Sequence, residues 1–193
     1  MPRVSLTQQV HHALGPRIHA DSVAIDATAG NGHDTLFLAS NIDNTGHVYA
    51  FDIQAQAIEN SRERLSAAGL SDRITLIQAG HEHMAERIAK RHLGTVEIIM
   101  FNLGYLPSAD KTVITCSTTT ILALQAATEI LAEKGVISIL AYPGHPGGRE
   151  ETEAVIHWAE TLPASHFTTT IHHADRNPEK SPLWIEVHKS GSV

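Results

Sequence analysis

A short apolar run, Val23-Ala24-Ile25, passes directly into Asp26-Ala-Thr-Ala-Gly30-Asn31-Gly32-His33-Asp34, and a helix-prone stretch from Thr35 to Ser40 follows. A strand that ends on a carboxylate, turns on closely spaced glycines and enters a helix is the opening unit of a nucleotide-binding α/β domain. The glycines matter because the backbone must bend sharply there and lie close to whatever is bound.

The rest of the chain keeps that rhythm. Thr7 to Gly15 reads as a short helix, stopped by Gly15-Pro16. Apolar, β-branched runs predict strands at Val23 to Asp26, Gly46 to Asp52, Arg73 to Gln78, Val96 to Phe101 and Val136 to Ala141. Helical spacing predicts helices at Asp34 to Ser40, Gln54 to Ala68, Glu82 to Arg91, Thr118 to Ala132 and Gly148 to Leu162. Val96 to Phe101 is almost wholly apolar, as a strand covered on both faces requires. Two last strands, Phe167 to His172 and Leu183 to Val187, flank the polar turn Asp175 to Pro182. Such alternation implies a mostly parallel seven-stranded sheet with helices on both faces, and the closing pair implies one antiparallel strand. That is the order of a class I methyltransferase Rossmann-like fold; a dehydrogenase-type domain would end in another crossover.

The 193 residues, 42% of them hydrophobic, suffice for one domain spanning 1–193 with a full core. No apolar run approaches the ~20 residues of a membrane span, so no membrane partner is expected. Met1-Pro-Arg-Val-Ser-Leu lacks the apolar centre of a signal peptide. Cys116 is the sole cysteine, which excludes an internal disulfide and fits a cytoplasmic location. A lone cysteine is expected to be a small buried side chain. A net charge of −7 argues against broad nonspecific nucleic-acid binding but leaves room for a local basic patch. The 14 histidines come without a His-Glu-x-x-His or Cys-x-x-Cys pattern, so no metal site is expected.

Ligands of such sheets sit outside the carboxyl ends of the strands. The residues following the predicted strands are Asp26, Asp52, His81-Glu82, Asn102 and Tyr142-Pro-Gly-His145. Any one of them would be polar simply because loops are wet; together, in this order, they make a site rim. Gly30-Asn31-Gly32 is not a full Gly-x-Gly-x-x-Gly, because Thr35 fills the third glycine position. Asp26 would repel a pyrophosphate and attract a sulfonium or amino group. Asp52 stands where an acidic residue accepts ribose hydroxyls, and it can also cap the helix from Gln54. These features favour S-adenosylmethionine as the cofactor. Asn102-Leu-Gly-Tyr105-Leu-Pro107 follows the most apolar strand. An asparagine there can accept a hydrogen bond from an amine, and Tyr105 can stack on a planar base. The segment is similar to the Asn-Pro-Pro-Tyr signature of amino-methyltransferases, with Leu103-Gly104 in place of the prolines. Lys111 beside Thr112, and the hydroxyl-rich Thr115 to Thr120, suit either phosphate or an ordinary helix cap. Gly144-His145-Pro-Gly-Gly148-Arg149 suits either a substrate loop or a glycine-rich turn.

Together these motifs resemble a family of stand-alone class I methyltransferases carried under the label rRNA methylase. The resemblance rests on residues 26–36, His47 to Gln54, His81-Glu82, Asn102 to Pro107 with Asp110-Lys111, and Gly144 to Gly148. It implies a tRNA methyltransferase acting in the anticodon region, on the exocyclic amine of 5-aminomethyl-2-thiouridine at the wobble position. It implies that Asp26, Asn31, Gly32 and Asp34 hold the methionine end of the cofactor, with Thr28 and Gly30 also binding it. Asp52 and Gln54 would hold ribose and adenine edges, His81 and Glu82 would flank adenine, and Asn102 and Tyr105 would face the transferred methyl group. Tyr105, Lys111, His145 and Arg149 are the candidate substrate contacts. On the residues alone, methylation of rRNA, DNA or a small amine stays open, as do a nicotinamide-dependent oxidoreductase and a noncatalytic binding module. A homodimer that assembles a basic groove lacking in one acidic subunit is a further expectation.

Overall fold

The computed structural model describes residues 4–104, 115–173 and 181–191. Helix α1 (Leu6–Leu14) begins at Ser5, whose hydroxyl accepts from the Gln8 N–H while the Gln8 side chain accepts from the Ser5 N–H. This reciprocal cap satisfies two orphan donors and fixes where the helix starts. There follow β1 (Val23–Asp26), α2 (His33–Ser40), β2 (His47–Asp52), α3 (Ala55–Ala67), β3 (Ile74–Gln78), α4 (Met84–Arg87) and β4 (Val96–Leu103). The second half holds α5 (Ser117–Ile130), β5 (Leu131–Ala141), α6 (Gly148–Thr161), β6 (Phe167–His173) and β7 (Leu183–Lys189).

The strands form one sheet in the order β3-β2-β1-β4-β5-β7-β6. β7 runs antiparallel to both β5 and β6, and the remaining neighbours pair in parallel. All seven strands lie where the apolar runs predict them, with ends differing by at most two residues except that β5 begins at Leu131, five residues before Val136, and the antiparallel strand is the expected one. Alternate residues face alternate layers. Val23 and Ile25 join the layer with Ala123, Leu124, Val155 and Trp158 of α5 and α6, whereas Ala24 joins Val10, Leu14 and Leu38 of α1 and α2. Chain order reverses between β1 and β4, so the connections leaving their carboxyl ends turn away from each other and leave a crevice there.

Two helix boundaries differ from expectation. The predicted helix from Glu82 to Arg91 is a 3₁₀ turn at His81–His83, the single turn α4, and another 3₁₀ turn at Lys90–His92. Ile88 and Ala89 are extended. Ile88 is buried in the core, and the Ala89 N–H donates to the Tyr49 hydroxyl at 3.2 Å. That tertiary pairing outcompetes the next intrahelical bond. The helix predicted through Ala132 ends at Ile130. The Lys189 ammonium, 2.7 Å from the Leu131 carbonyl and 3.4 Å from that of Thr128, caps its last turn from β7.

Candidate active site

The glycine turn after β1 is stitched to both neighbouring strands. The Ala27 N–H donates to the Met100 carbonyl and the Ala29 N–H to that of Phe51, each at 2.8 Å. Helix α3 supports the turn from behind. The Ser61 hydroxyl donates to the Gly30 carbonyl at 3.1 Å, the Arg64 Nε–H to that of Asn31 at 2.6 Å, and the Asn60 amide to Asn31 Oδ1 at 2.8 Å. Gly32 has φ 75°, and a Cβ on it would lie 2.9 Å from Ser61 Cα. Gly32→Ala is therefore expected to lose about 1–2 kcal/mol from the left-handed backbone alone, with the contact adding to that. Thermal melts check this: the midpoint should fall by several degrees, while Gly15→Ala, with nothing within 4 Å of the new methyl, should leave it unchanged.

Three carboxylates take different parts. Asp26 is fully buried: Oδ1 accepts from the Thr28 N–H at 3.1 Å and Oδ2 from the Thr35 hydroxyl at 2.6 Å. Burial, reinforced by the Asp34 charge, pushes its pKa up to about 7. Thr35, at the missing third glycine, thus serves to hold Asp26. Asp52 accepts from the Gly30 N–H and from the Gln54 N–H, each at 2.9 Å, and partial burial raises its pKa. Asp34, in the first turn of α2, binds His11 Nε2 at 2.6 Å through Oδ1 and the Asn102 side-chain amide through Oδ2. The Asn102 N–H donates to the Thr28 hydroxyl at 2.7 Å, which ties β4 to the turn. His81 is buried and bonded to the Ala27 backbone; burial holds its pKa below the usual imidazole range.

These elements enclose a cavity of about 890 Å³, within the size range of small-molecule and cofactor sites. Of the sequence-predicted residues, Thr28, Gly30, Asn31, Asp34, Asp52, Gln54, His81, Glu82, Asn102 and His145 line it. Asp26 and Gly32 support the wall without lining it. Arg149 points along the exposed side of α6, where Nε bonds Glu153 at 2.9 Å. Tyr105 and Lys111 lie outside the described residues.

Other features differ from the sequence reading. Cys116, expected to be buried, is exposed and lines the cavity just before α5. The position that precedes a helix leaves its side chain outside the packed face. The hydroxyls of Thr115 and Thr120 are committed to Glu151, each donating at 2.6 Å to that buried carboxylate. With the anion beneath them they clamp α5 to α6 and do not form a phosphate cradle. Thr7 also lines the cavity, and Tyr142 beside it is bonded to Thr7. Thr7 and His11 sit one turn apart on α1, a spacing visible in the sequence but meaningless until α1 is docked.

The lining identifies the class of ligand by charge. Among the described residues it holds Asp34, Asp52 and Glu82 but no lysine or arginine. Among the described residues a pyrophosphate would meet three carboxylates and no lysine or arginine; a ligand with sulfonium and ammonium groups would be attracted.

The profile of the family described as Putative rRNA methylase matches residues 48–188. The tRNA (mnm(5)s(2)U34)-methyltransferase, chloroplastic, of Arabidopsis thaliana is 40% identical over 173 residues, which cover 86% of this chain and 62% of that protein. The chain therefore spans about six tenths of that relative's length. The crystal structure of a putative rRNA-methylase from Clostridium thermocellum is 35% identical, superposes with a TM-score of 0.91, and is matched over 98% of this chain and 100% of that one. A putative methyltransferase from Streptococcus mutans in complex with SAH is 32% identical, with a TM-score of 0.84 over 98% of this chain and 99% of that one.

Proposed function

The chain belongs to the family described as Putative rRNA methylase, and on that premise we propose that it is an S-adenosylmethionine-dependent N-methyltransferase. We assign as its substrate the amine of 5-aminomethyl-2-thiouridine at the tRNA wobble position, and as its product the 5-methylaminomethyl form. One observation carries the amine assignment. Asn102, next to last in β4, lines the cavity, and its amide nitrogen is committed to Asp34, which leaves the amide oxygen as the acceptor for an incoming N–H. The Arabidopsis relative, whose name carries this nucleoside, supports the choice of amine. The SAH-bound neighbour supports the choice of cofactor.

S-adenosylmethionine supplies an electrophilic methyl group on sulfur, so the protein's work is positioning and exclusion of water. Asp52, held by two backbone N–H groups, offers its remaining lone pairs to ribose hydroxyls. The glycine turn receives the cationic methionine end, and Asp34, its oxygens held by His11 and Asn102, lends negative charge beside it. Asn102 accepts an N–H of the neutral amine and so turns the nitrogen lone pair toward the methyl group. Transfer breaks carbon–sulfur as carbon–nitrogen forms, the electron pair stays on sulfur, and the new ammonium loses its proton to water.

The test is direct. The purified chain is incubated with labelled S-adenosylmethionine and tRNA bearing the unmethylated aminomethyl nucleoside, and digested nucleosides are read by mass spectrometry. Conversion to the methylaminomethyl nucleoside is expected. The family description favours a second reading, an rRNA substrate, so rRNA from the same cells forms a parallel arm. Label confined to rRNA would replace the tRNA reading with that one.

A further inference from the structure

We propose that His11 is a positioning residue for methyl transfer: it holds Asp34, and through Asp34 it fixes the Asn102 amide with its oxygen toward the acceptor amine. The proposal rests on the amine reading of the site.

The chain of contacts is short and closed. Asp34 has two carboxylate oxygens and two side-chain donors: His11 Nε2 on Oδ1 at 2.6 Å and Asn102 Nδ2 on Oδ2. An ionised carboxylate only accepts, so the Asn102 group facing it is the NH₂ and the oxygen faces away. The two ends of an amide are nearly identical in shape. Its orientation is therefore set by the partner, and here the partner is Asp34. Asp34 in turn stays an oriented acceptor only while its other oxygen is held. Without His11 the carboxylate is free to rotate toward a cationic ligand and release the amide.

His11 is built to stay in place. Its ring stacks on Phe37 with centroids 3.9 Å apart and planes within 3°. Val10 and Leu14 anchor α1 in the core on either side of it. The same helix carries Thr7 to the cavity wall, one turn away, so α1 reaches the site at two points. A purely structural role, pinning α1 to α2, would need the stack alone. The hydrogen bond aimed at a carboxylate that also grips Asn102 adds a path to the reacting centre.

Two variants separate ring from donor. His11→Phe keeps the stack and removes the N–H; His11→Gln restores an N–H donor of similar reach without the ring. Wild type is first shown to methylate the wobble nucleoside, since its failure there would reject the amine reading and not this one. Given that turnover, H11F is expected to lower kcat on the order of 10-fold to 10²-fold, with S-adenosylmethionine affinity within about threefold of wild type, and H11Q to recover most of the rate. In an Asn102→Ala background H11F should cost little more, because both act through one amide. Independently of turnover, the Asn102 side-chain amide signals in ¹⁵N spectra, identified by their loss in N102A, should move in H11F and return in H11Q. Should H11F not fold, His11→Ala carries the same comparison. Full turnover without the donor, equal losses in both variants, additive losses with N102A, or unmoved Asn102 amide signals would each overturn the proposal.

Discussion

Replacing Asn102 by alanine is expected to slow methyl transfer by about 10²-fold while leaving the affinity for S-adenosylmethionine within a few-fold of wild type. Losing one hydrogen bond to a reacting nitrogen is worth about 1.5–3 kcal/mol when charge develops on it, which spans roughly 10-fold to 10²-fold in rate. The side chain has no part in holding the turn. The link between β4 and the glycine turn is the Asn102 backbone N–H on the Thr28 hydroxyl, which alanine keeps. Asp34 loses one donor and retains His11. Asn102→Asp is expected to be worse than alanine, because a second carboxylate would face Asp34 and like charges at that separation cannot both stay ionised without cost. Single-turnover rates on tRNA, alongside calorimetric titration with S-adenosylmethionine, decide the matter. Unchanged single-turnover rates in N102A would remove Asn102 from the reacting centre.

The sheet was legible because its signals are local. Each strand is an apolar run of its own, and the short connection before Leu183 dictates an antiparallel return. The strand-end rule then found the residues carried by β1, β2, β4 and β5, since those positions depend only on where each strand stops. What the sequence did not disclose depends on docking between distant segments. His11 meets Asp34 across 23 positions only because α1 packs against α2. Helix α4 is cut to one turn because Tyr49, 40 residues earlier, takes the Ala89 N–H. Cys116 misled because average burial of a residue type says nothing about a particular helix start. Thr115 and Thr120 looked available until α6 delivered the Glu151 carboxylate beneath them.

Asp26→Asn is expected to stabilise the protein increasingly as pH rises. Asp26 holds its proton up to about pH 7 in the folded chain, chiefly because burial penalises its charge, whereas an ordinary aspartate ionises near 3.8. The unfolded chain therefore binds fewer protons between about pH 4 and pH 7, so this group's contribution is full below about pH 4 and is lost as pH climbs through about 7. Between pH 5 and pH 8 the loss is on the order of 3 kcal/mol. Histidines with lowered pKa values act oppositely: in buried His81 and partly buried His47 and His92 desolvation is the chief cause, so their neutral forms add stability as pH rises. The wild-type profile mixes both trends, but subtracting it from that of the variant cancels the histidines. Asparagine fits the same place, since its oxygen can accept from the Thr28 N–H and its amide can donate to the Thr35 hydroxyl. The melting-point gain of D26N over wild type should therefore be several degrees larger at pH 8 than at pH 5, at about 2–4 °C per kcal/mol. A gap of constant size across that range would mean that Asp26 is ionised in the folded protein throughout, and that burial is not what sets its charge.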